Sequence, residues 1–330
     1  MTSITNNRLD WILENFKNKK IIVLGDLMLD RYVWGTVNRI SPEAPVPVVE
    51  VTNEFVRLGG AANVAHNLSS LGAIPIPIGV VGNDLEGEQL AALMEELNFS
   101  TEFIVRDNSR PTVVKTRIIA DDQHVVRADR ESKETINSDI LEKLIKVIES
   151  NIEKADAVII EDYNKGLLIK ALIQKIIELA NRFDKLITVD PKFDNFFEYK
   201  SVTVFKPNRK ETEAALGIKI NSADCLEVAC QKVIDRLQCK AVLITLGEQG
   251  MCLLDSKGGF ERVPTKARKV HDVSGAGDTV ISTLTLALTC GSDLREAITL
   301  ANYAAGAVCG EVGVVPIDPM KLKDAISHFN

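Results

Sequence analysis

The chain has 330 residues, 45% of them apolar and 26% charged, with a formal net charge of −7. Such a length and composition suit an α/β protein with a sizeable core, and the acidic balance leaves no general field for nucleic acid or anionic lipid. The first twenty residues carry charges throughout and no apolar run approaches the ~18 residues of a membrane span, so a cytoplasmic protein is expected.

Residues 21–25 read as a buried strand. The stretch 31–58 then breaks the rhythm, and its prolines at positions 42, 45 and 47 exclude a helix and suit an edge strand or an extended rim. Helical period follows at 64–71 and 85–97, whereas 112–130 reads as hairpin-like strands that join 31–58 in one small lid sheet. Strands at 157–160, 186–189, 202–205 and 241–246 alternate with helices at 140–152, 168–183 and 226–237, and an apolar helix covers 280–288. This alternation predicts a single domain over 1–330: a mostly parallel sheet with helices on both faces, plus the lid.

The six cysteines, Cys225, Cys230, Cys239, Cys252, Cys290 and Cys309, show no C-x-x-C spacing and read as reduced core residues. The four histidines, His66, His124, His271 and His328, are scattered and read as packing or surface groups, not metal ligands. Neither a P-loop nor a G-x-G-x-x-G turn after the first strand is present, which removes the commonest nucleotide-binding classes.

In parallel sheets ligands gather beyond the carboxyl ends of the strands, and there the sequence is unusually polar: Asp26 and Asp30, Asp162-Tyr-Asn-Lys165, Asp190-Pro-Lys192, Lys206-Pro-Asn208 and Thr245-Leu-Gly247. The strongest signal is Asp272-Val-Ser-Gly275-Ala276-Gly277-Asp278-Thr279. A glycine-rich turn that opens a helix gathers free N–H groups and the positive dipole end, a receptor for phosphate oxygens. A carboxylate at that spot repels phosphate, so Asp278 is either a helix cap or a base that takes a proton from an attacking hydroxyl.

This octapeptide resembles the D-T-x-G-A-G-D-T motif of the PfkB (ribokinase-like) carbohydrate kinases, and the order of motifs agrees along the whole chain. The resemblance implies a ribokinase-like fold, an anion hole at Gly275, Ala276 and Gly277, Asp278 as catalytic base and a monovalent cation such as potassium near Asp272. Gly59, Gly60 and Asn63 look like the family's sugar-contacting di-glycine segment, with Asp30 and Asp26 as further sugar ligands. Asn208 and Glu211 resemble the N-x-x-E motif that handles magnesium indirectly; Thr245, Gly247 and Gly250 resemble the segment along which ATP lies, and Asn302 stands where adenine is met.

Within the family, Ser41-Pro-Glu-Ala-Pro-Val-Pro-Val48, Asp162-Tyr-Asn-Lys165-Gly166 and Asp190-Pro-Lys192 look like the members that phosphorylate the anomeric oxygen of D-glycero-β-D-manno-heptose 7-phosphate, in ADP-heptose synthesis for lipopolysaccharide. A sugar phosphate carries about two negative charges, so Lys115, Arg117, Arg127, Lys165 and Lys192 are candidate phosphate ligands, at least two of them expected to be plain surface charges, with Asp162 beside them. Alternatives are a PfkB kinase for fructose phosphate, tagatose phosphate, ribose or a nucleoside, and a non-catalytic sensor. The tail Gly310-Glu311-Val-Gly313-Val314 departs from relatives that carry lysine after the glycine and threonine near position 314. Heptose kinases are often fused to a nucleotidyltransferase, for which 330 residues leave no room. Family lids pair across a two-fold axis, and the apolar Val46-Pro-Val-Val49 predicts a homodimer of that kind.

Overall fold

The computed structural model describes residues 4–121, 123–267, 273–311 and 313–327. In chain order its strands are β1 (Lys20–Gly25), β2 (Leu27–Ile40), β3 (Pro47–Gly60), β4 (Ile74–Gly82), β5 (Ile104–Asp107), β6 (Val113–Ala120) and β7 (Gln123–Arg130). They continue as β8 (Ala157–Glu161), β9 (Leu186–Asp190), β10 (Val204–Phe205), β11 (Ala241–Thr245), β12 (Met251–Asp255) and β13 (Phe260–Val263). The helices are α1 (Asn6–Phe16), α2 (Ala61–Ser70), α3 (Leu85–Glu96), α4 (Ser138–Asn151), α5 (Lys170–Arg182), α6 (Arg209–Leu216), α7 (Ala223–Leu237), α8 (Ala276–Thr289), α9 (Leu294–Val308) and α10 (Pro319–Ser327).

Nine strands form one sheet in the order β13-β12-β11-β10-β9-β8-β1-β4-β5, parallel from β11 to β5 with an antiparallel hairpin at the other edge. Alternation sorts its side chains into two cores. Ile21, Val23, Ala157 and Ile159 face α1, α2, α8 and α9, whereas Ile22, Leu24, Val158 and Ile160 face α4, α5 and α7. Each wholly buried side chain of this kind contributes about 1.5–3 kcal/mol, and burial on both faces is why the strands read as unbroken apolar runs. From β1 the chain steps one way to β4 and β5 and the other way, later, to β8 and β9, so the order reverses at β1 and opens a crevice beyond its carboxyl end.

β4 is missing from the expected strands because Pro75 and Pro77 argue against a central position. They pair with Ile21 and Val23 of β1, while β5 joins β4 only from Gly79 onward. The two prolines share one parity, so their absent N–H groups point to the side where no neighbour has yet begun.

The stretches expected to form a lid lie in a separate four-stranded sheet, β3-β2-β6-β7, which runs somewhat longer than 31–58, from Leu27 to Gly60, and one residue shorter than 112–130, from Val113 to Arg130. Only Asp26 separates β1 from β2, so the lid grows directly from the switch point. Pro47 opens β3, an edge strand, as the prolines require.

Candidate active site

Strand register brings the chemistry together. Gly25, Glu161 and Asp190 are lateral neighbours at the carboxyl ends of β1, β8 and β9. A Cβ on Gly25 would run into the carbonyl oxygen of Glu161, so glycine is required for the strands to close there. Glu161 and Asp190 share the parity of Ala157 and Thr188, and Thr188 bonds Thr285 of α8 at 2.7 Å, so both carboxylates look toward that helix.

α8 begins at Gly275, whose φ of 78° lies in the left-handed region, and a Cβ there would sit 3.0 Å from Asn63 Nδ2. The first turn leaves the N–H groups of Gly277 and Asp278 without an intrahelical acceptor. A Cβ on Gly277 would lie 3.5 Å from Asp190 Oδ2 and 3.6 Å from Lys206 Nζ, so the first turn of α8 lies against the strand ends. Asp278 accepts from Asn63 Nδ2 at 2.6 Å and from the Tyr163 hydroxyl at 3.0 Å. Burial, with Asp190 nearby and despite those two donors, pushes its carboxyl up to about 6. A polar seam fixes α2 to α8: Thr279 donates to Asn67 Oδ1 at 3.1 Å and Ser282 to the Val64 carbonyl at 3.2 Å.

Glu161 is wholly buried, and neither of its carboxylate oxygens has a hydrogen-bond partner. Burial, then the charges of Asp190 and Asp278, hold it well above the usual carboxylate range. Lys206, 3% exposed, pairs with Asp190 at 2.6 Å. Burial alone would lower its ammonium, but Asp190 and Glu161 outweigh that and raise it. Lys192 behaves alike: it donates to Glu211 Oε1 at 2.9 Å, stands 3.9 Å from Asp190, and is raised by them against its burial.

On the lid side Asp30 is buried and paired with Arg117, and a Cβ on Gly59 would strike the Asp30 carboxylate. Asp26 accepts from the backbone N–H groups of Tyr163 (2.8 Å) and Lys165 (3.3 Å), and its carbonyl accepts from Ala61 N at 3.1 Å beside Gly60. Burial, with Asp162 adding to it, raises the Asp26 carboxyl to about 7. The ammonium of Lys115 stands 4.6 Å over the Tyr163 ring and that of Lys192 5.0 Å from it. Burial lowers the Lys115 ammonium, against the opposing pull of the Asp30 carboxylate.

Thr245, Gly247, Gly250 and Asn302, which the sequence singled out separately, line one cavity of 510 Å³. Ala276 and Gly277 line it too, so it runs up to the first turn of α8. Its other walls, among them Met251, Val273, Val280 and Ala305, are largely apolar. Asn302 spends part of its amide on the Pro264 carbonyl at 2.7 Å. A larger depression of 640 Å³ beside α5, lined by Lys170, Phe197 and Arg236 among others, shares none of the strand-end residues.

Some expected ligands face elsewhere. Asp162 is filled by Tyr199 (2.5 Å), Asn195 (3.2 Å) and the Asn164 N–H (2.8 Å), because strand alternation turns it away from α8. Arg127 is tied to Asp129 on β7, a strand exposed along its length, and Lys165 is tied to Glu131 at 2.6 Å. Asn208 and Glu211 form a capping box for α6, with Lys192 taking the other Glu211 oxygen, so neither oxygen of Glu211 is free to meet a metal directly. Asp272 lies outside the described residues, and Glu311 of the divergent tail pairs with Lys321 at 2.7 Å. Tyr163, Asp190 and Lys206 were read from sequence as polar strand ends without an individual role, and Glu161, the last residue of β8, was not singled out.

A buried carboxylate on the first turn of a glycine-opened helix, beside a mostly apolar cavity at the carboxyl end of a parallel sheet, suits a phosphotransferase of the carbohydrate kinase class. The model of the pfkB family carbohydrate kinases matches residues 18–320, and the chain belongs to that family. It is 46% identical over 295 residues to the bifunctional protein HldE of Helicobacter pylori (strain HPAG1), a match that covers 89% of this chain and 64% of that protein. The chain thus spans less than two thirds of the length of such relatives. In fold it is similar to phosphofructokinase-2 from Escherichia coli in complex with potassium, with TM-score 0.78, 19% identity, and 94% of this chain and 99% of that one covered. It is likewise similar to Arabidopsis thaliana ribokinase complexed with ribose and ATP, with TM-score 0.74, 19% identity and coverage of 94% and 99%.

Proposed function

We propose that this chain transfers the γ-phosphoryl group of ATP to the anomeric hydroxyl of D-glycero-β-D-manno-heptose 7-phosphate, giving the 1,7-bisphosphate and ADP. The observation that carries this reading is Asp278, a buried carboxylate set by Asn63 and Tyr163 at the helix turn where the 510 Å³ cavity ends. The cavity walls suit a flat purine ring, and the turn of Gly275, Ala276 and Gly277 suits the phosphate end.

Asp278 takes the proton of the anomeric hydroxyl as its oxygen bonds to the γ-phosphorus; the bond from that phosphorus to the β–γ bridging oxygen breaks, and ADP leaves. The helix-turn amides and Lys206 meet the charge on the transferring oxygens. Magnesium bound with ATP would neutralise phosphate charge, and Glu161, whose wholly buried carboxylate has no hydrogen-bond partner, is the residue that would help to hold it. A potassium ion beside the turn is part of the reading, with Asp272 as its ligand.

Asp26, Asp30, Gly59, Gly60 and Asn63 line the sugar's side of the crevice. Lys115 and Arg117 on the lid, with Lys192 across Tyr163, supply cations for the distal phosphate. The residues form one kinase domain, and the four-stranded sheet closes as a lid over the sugar, excluding water so that ATP is not wasted on hydrolysis. A homodimer forms through that lid. Relatives 46% identical that are named as bifunctional HldE support the heptose assignment over a fructose phosphate or ribose.

The test is ADP release by the purified protein with ATP, magnesium and potassium over heptose 7-phosphate, fructose 6-phosphate and ribose. Turnover with the heptose phosphate alone, negligible ATPase without sugar, and at least a roughly thousandfold loss in Asp278→Asn are expected. A different preferred sugar would displace the heptose assignment, and an active Asp278→Asn would remove the base.

A further inference from the structure

We infer that Tyr163 is a positioning residue, which sets the Asp278 carboxylate with its hydroxyl and ties it through its ring to two lysines on the sugar's side of the crevice. The inference rests on the proposed function, in which Asp278 is the base that Tyr163 serves.

Asp278 receives one hydrogen bond on each carboxylate oxygen. Asn63 Nδ2 donates to Oδ2 at 2.6 Å and the Tyr163 hydroxyl to Oδ1 at 3.0 Å. The last torsion of an aspartate side chain is soft, so a donor at each oxygen fixes the plane of the carboxylate where a single donor would let it swing. Asn63 comes from α2 and Tyr163 from the turn after β8, and both must be in place for the base to face one direction.

The turn that presents Tyr163 is itself firmly held. The backbone N–H groups of Tyr163 and Lys165 donate to Asp26 Oδ2 at 2.8 and 3.3 Å, Arg110 donates to the Lys165 carbonyl at 3.1 Å, and Ile136 N–H donates to the Gly166 carbonyl at 3.0 Å. Between them Asn164 takes a left-handed φ of 54°, which asparagine tolerates better than most residues. The result gives Tyr163 the parity of Glu161, toward α8, while Asp162 turns the other way to Tyr199.

The ring links the two sheets. The ammonium of Lys115, on β6 of the small sheet, lies 4.6 Å from its centroid, and that of Lys192, just past β9 of the main sheet, lies 5.0 Å from it. Both are within reach of a cation–π contact. An anion drawn in by these ammoniums also seats the ring, and with it the hydroxyl on Asp278. Hydroxyl and ring therefore separate by substitution: phenylalanine keeps the ring and its cations and loses only the bond to Asp278, whereas leucine loses both.

The test is steady-state kinetics with heptose 7-phosphate, on variants whose melting curves show them folded. Tyr163→Phe should lower kcat by at least about tenfold, since a misplaced base costs rate, and leave KM for the sugar phosphate within about threefold of wild type. Tyr163→Leu should lower kcat as far and also raise that KM by about tenfold. Tyr163→Phe combined with Asp278→Asn should be no slower than Asp278→Asn alone, because the hydroxyl acts only through that carboxylate. An unchanged kcat in Tyr163→Phe, or losses that multiply in the double variant, would overturn the inference, while an active wild type and a crippled Asp278→Asn would leave the proposed function standing. A wild type that turns over no sugar phosphate would overturn both.

Discussion

His66 on α2 is half-buried and meets Phe99 edge-on, with ring centroids 6.3 Å apart. Burial, and after it the charge of Arg57, holds its imidazole below the usual range. The folded protein therefore resists a proton that the unfolded chain accepts below about pH 6.5. By linkage the stability tied to His66 is fully present above that pH and is lost as pH falls through the depressed folded value. Raised carboxylates such as Asp26 act in the opposite sense, so the comparison must be made between two proteins. His66→Gln should lose less stability than wild type between pH 8 and pH 5 in urea unfolding; identical losses would refute the assignment. Packing or a surface position was expected of the four histidines alike, and for His66 only the tertiary contact with Phe99 decides between them. Asp278 and Asn63 were singled out for another reason, since each sits in a motif that resembles the family's, and the structure brings the two into contact. Glu161 was not, because Asp162 is the more conspicuous acid at that strand end. Only register and parity, set by β1 and β9 far away in the chain, reveal which of the two faces α8.

At the scale of elements, the chain of consequence runs from a glycine to Asp278. Gly60 ends β3 and caps α2 with φ 56° and ψ −134°, a conformation that side chains rarely adopt. A Cβ there would strike the Asp26 carbonyl oxygen and come within 2.7 Å of Met28 Cε. Gly60→Ala should therefore cost about 1–3 kcal/mol in backbone strain alone and lower the melting temperature. It should also lower turnover, because α2 carries Asn63 against Asp278. An unchanged melting curve would mean that the turn relaxes freely and that the sugar-side backbone is not held as described. Helices and buried strands were readable wherever period and apolar runs coincide. β4 was not, since two prolines in a central strand become tolerable only once the neighbour across from them is known to start late. The hairpin of β12 and β13 and the C-terminal helices α9 and α10 were likewise not assigned from sequence, although together they complete the edge of the sheet and one of its covering layers.

The distribution of apolar surface over the whole molecule makes the lid more than a cover. Ile40, Val46, Val51, Val125 and Val126, five of the thirteen exposed large apolar side chains among the described residues, lie on the four-stranded sheet or beside it. Its outer strand β7 is exposed along all eight residues, and both edges, β3 and β7, offer unpaired backbone groups. Such edges invite pairing unless something covers them. A second copy of the chain offers the same apolar patch under two-fold symmetry, and an isologous contact closes without leaving a further sticky surface. Near the base of the small sheet Arg57 donates to the Val314 carbonyl at 2.7 Å, and within the sheet Tyr32 stacks on Phe55. Size-exclusion chromatography with light scattering should give twice the chain mass. Val51→Glu combined with Val126→Glu should give the single-chain mass, because a stable contact of roughly 1,200 Å² or more cannot bury unpaired carboxylates. The variant should keep the wild-type affinity for ATP, whose proposed cavity lies on the main sheet, but bind the sugar phosphate more weakly if partner lids brace each other. Wild-type protein that stays at the single-chain mass over the accessible concentration range would leave those five side chains without the partner argued for here.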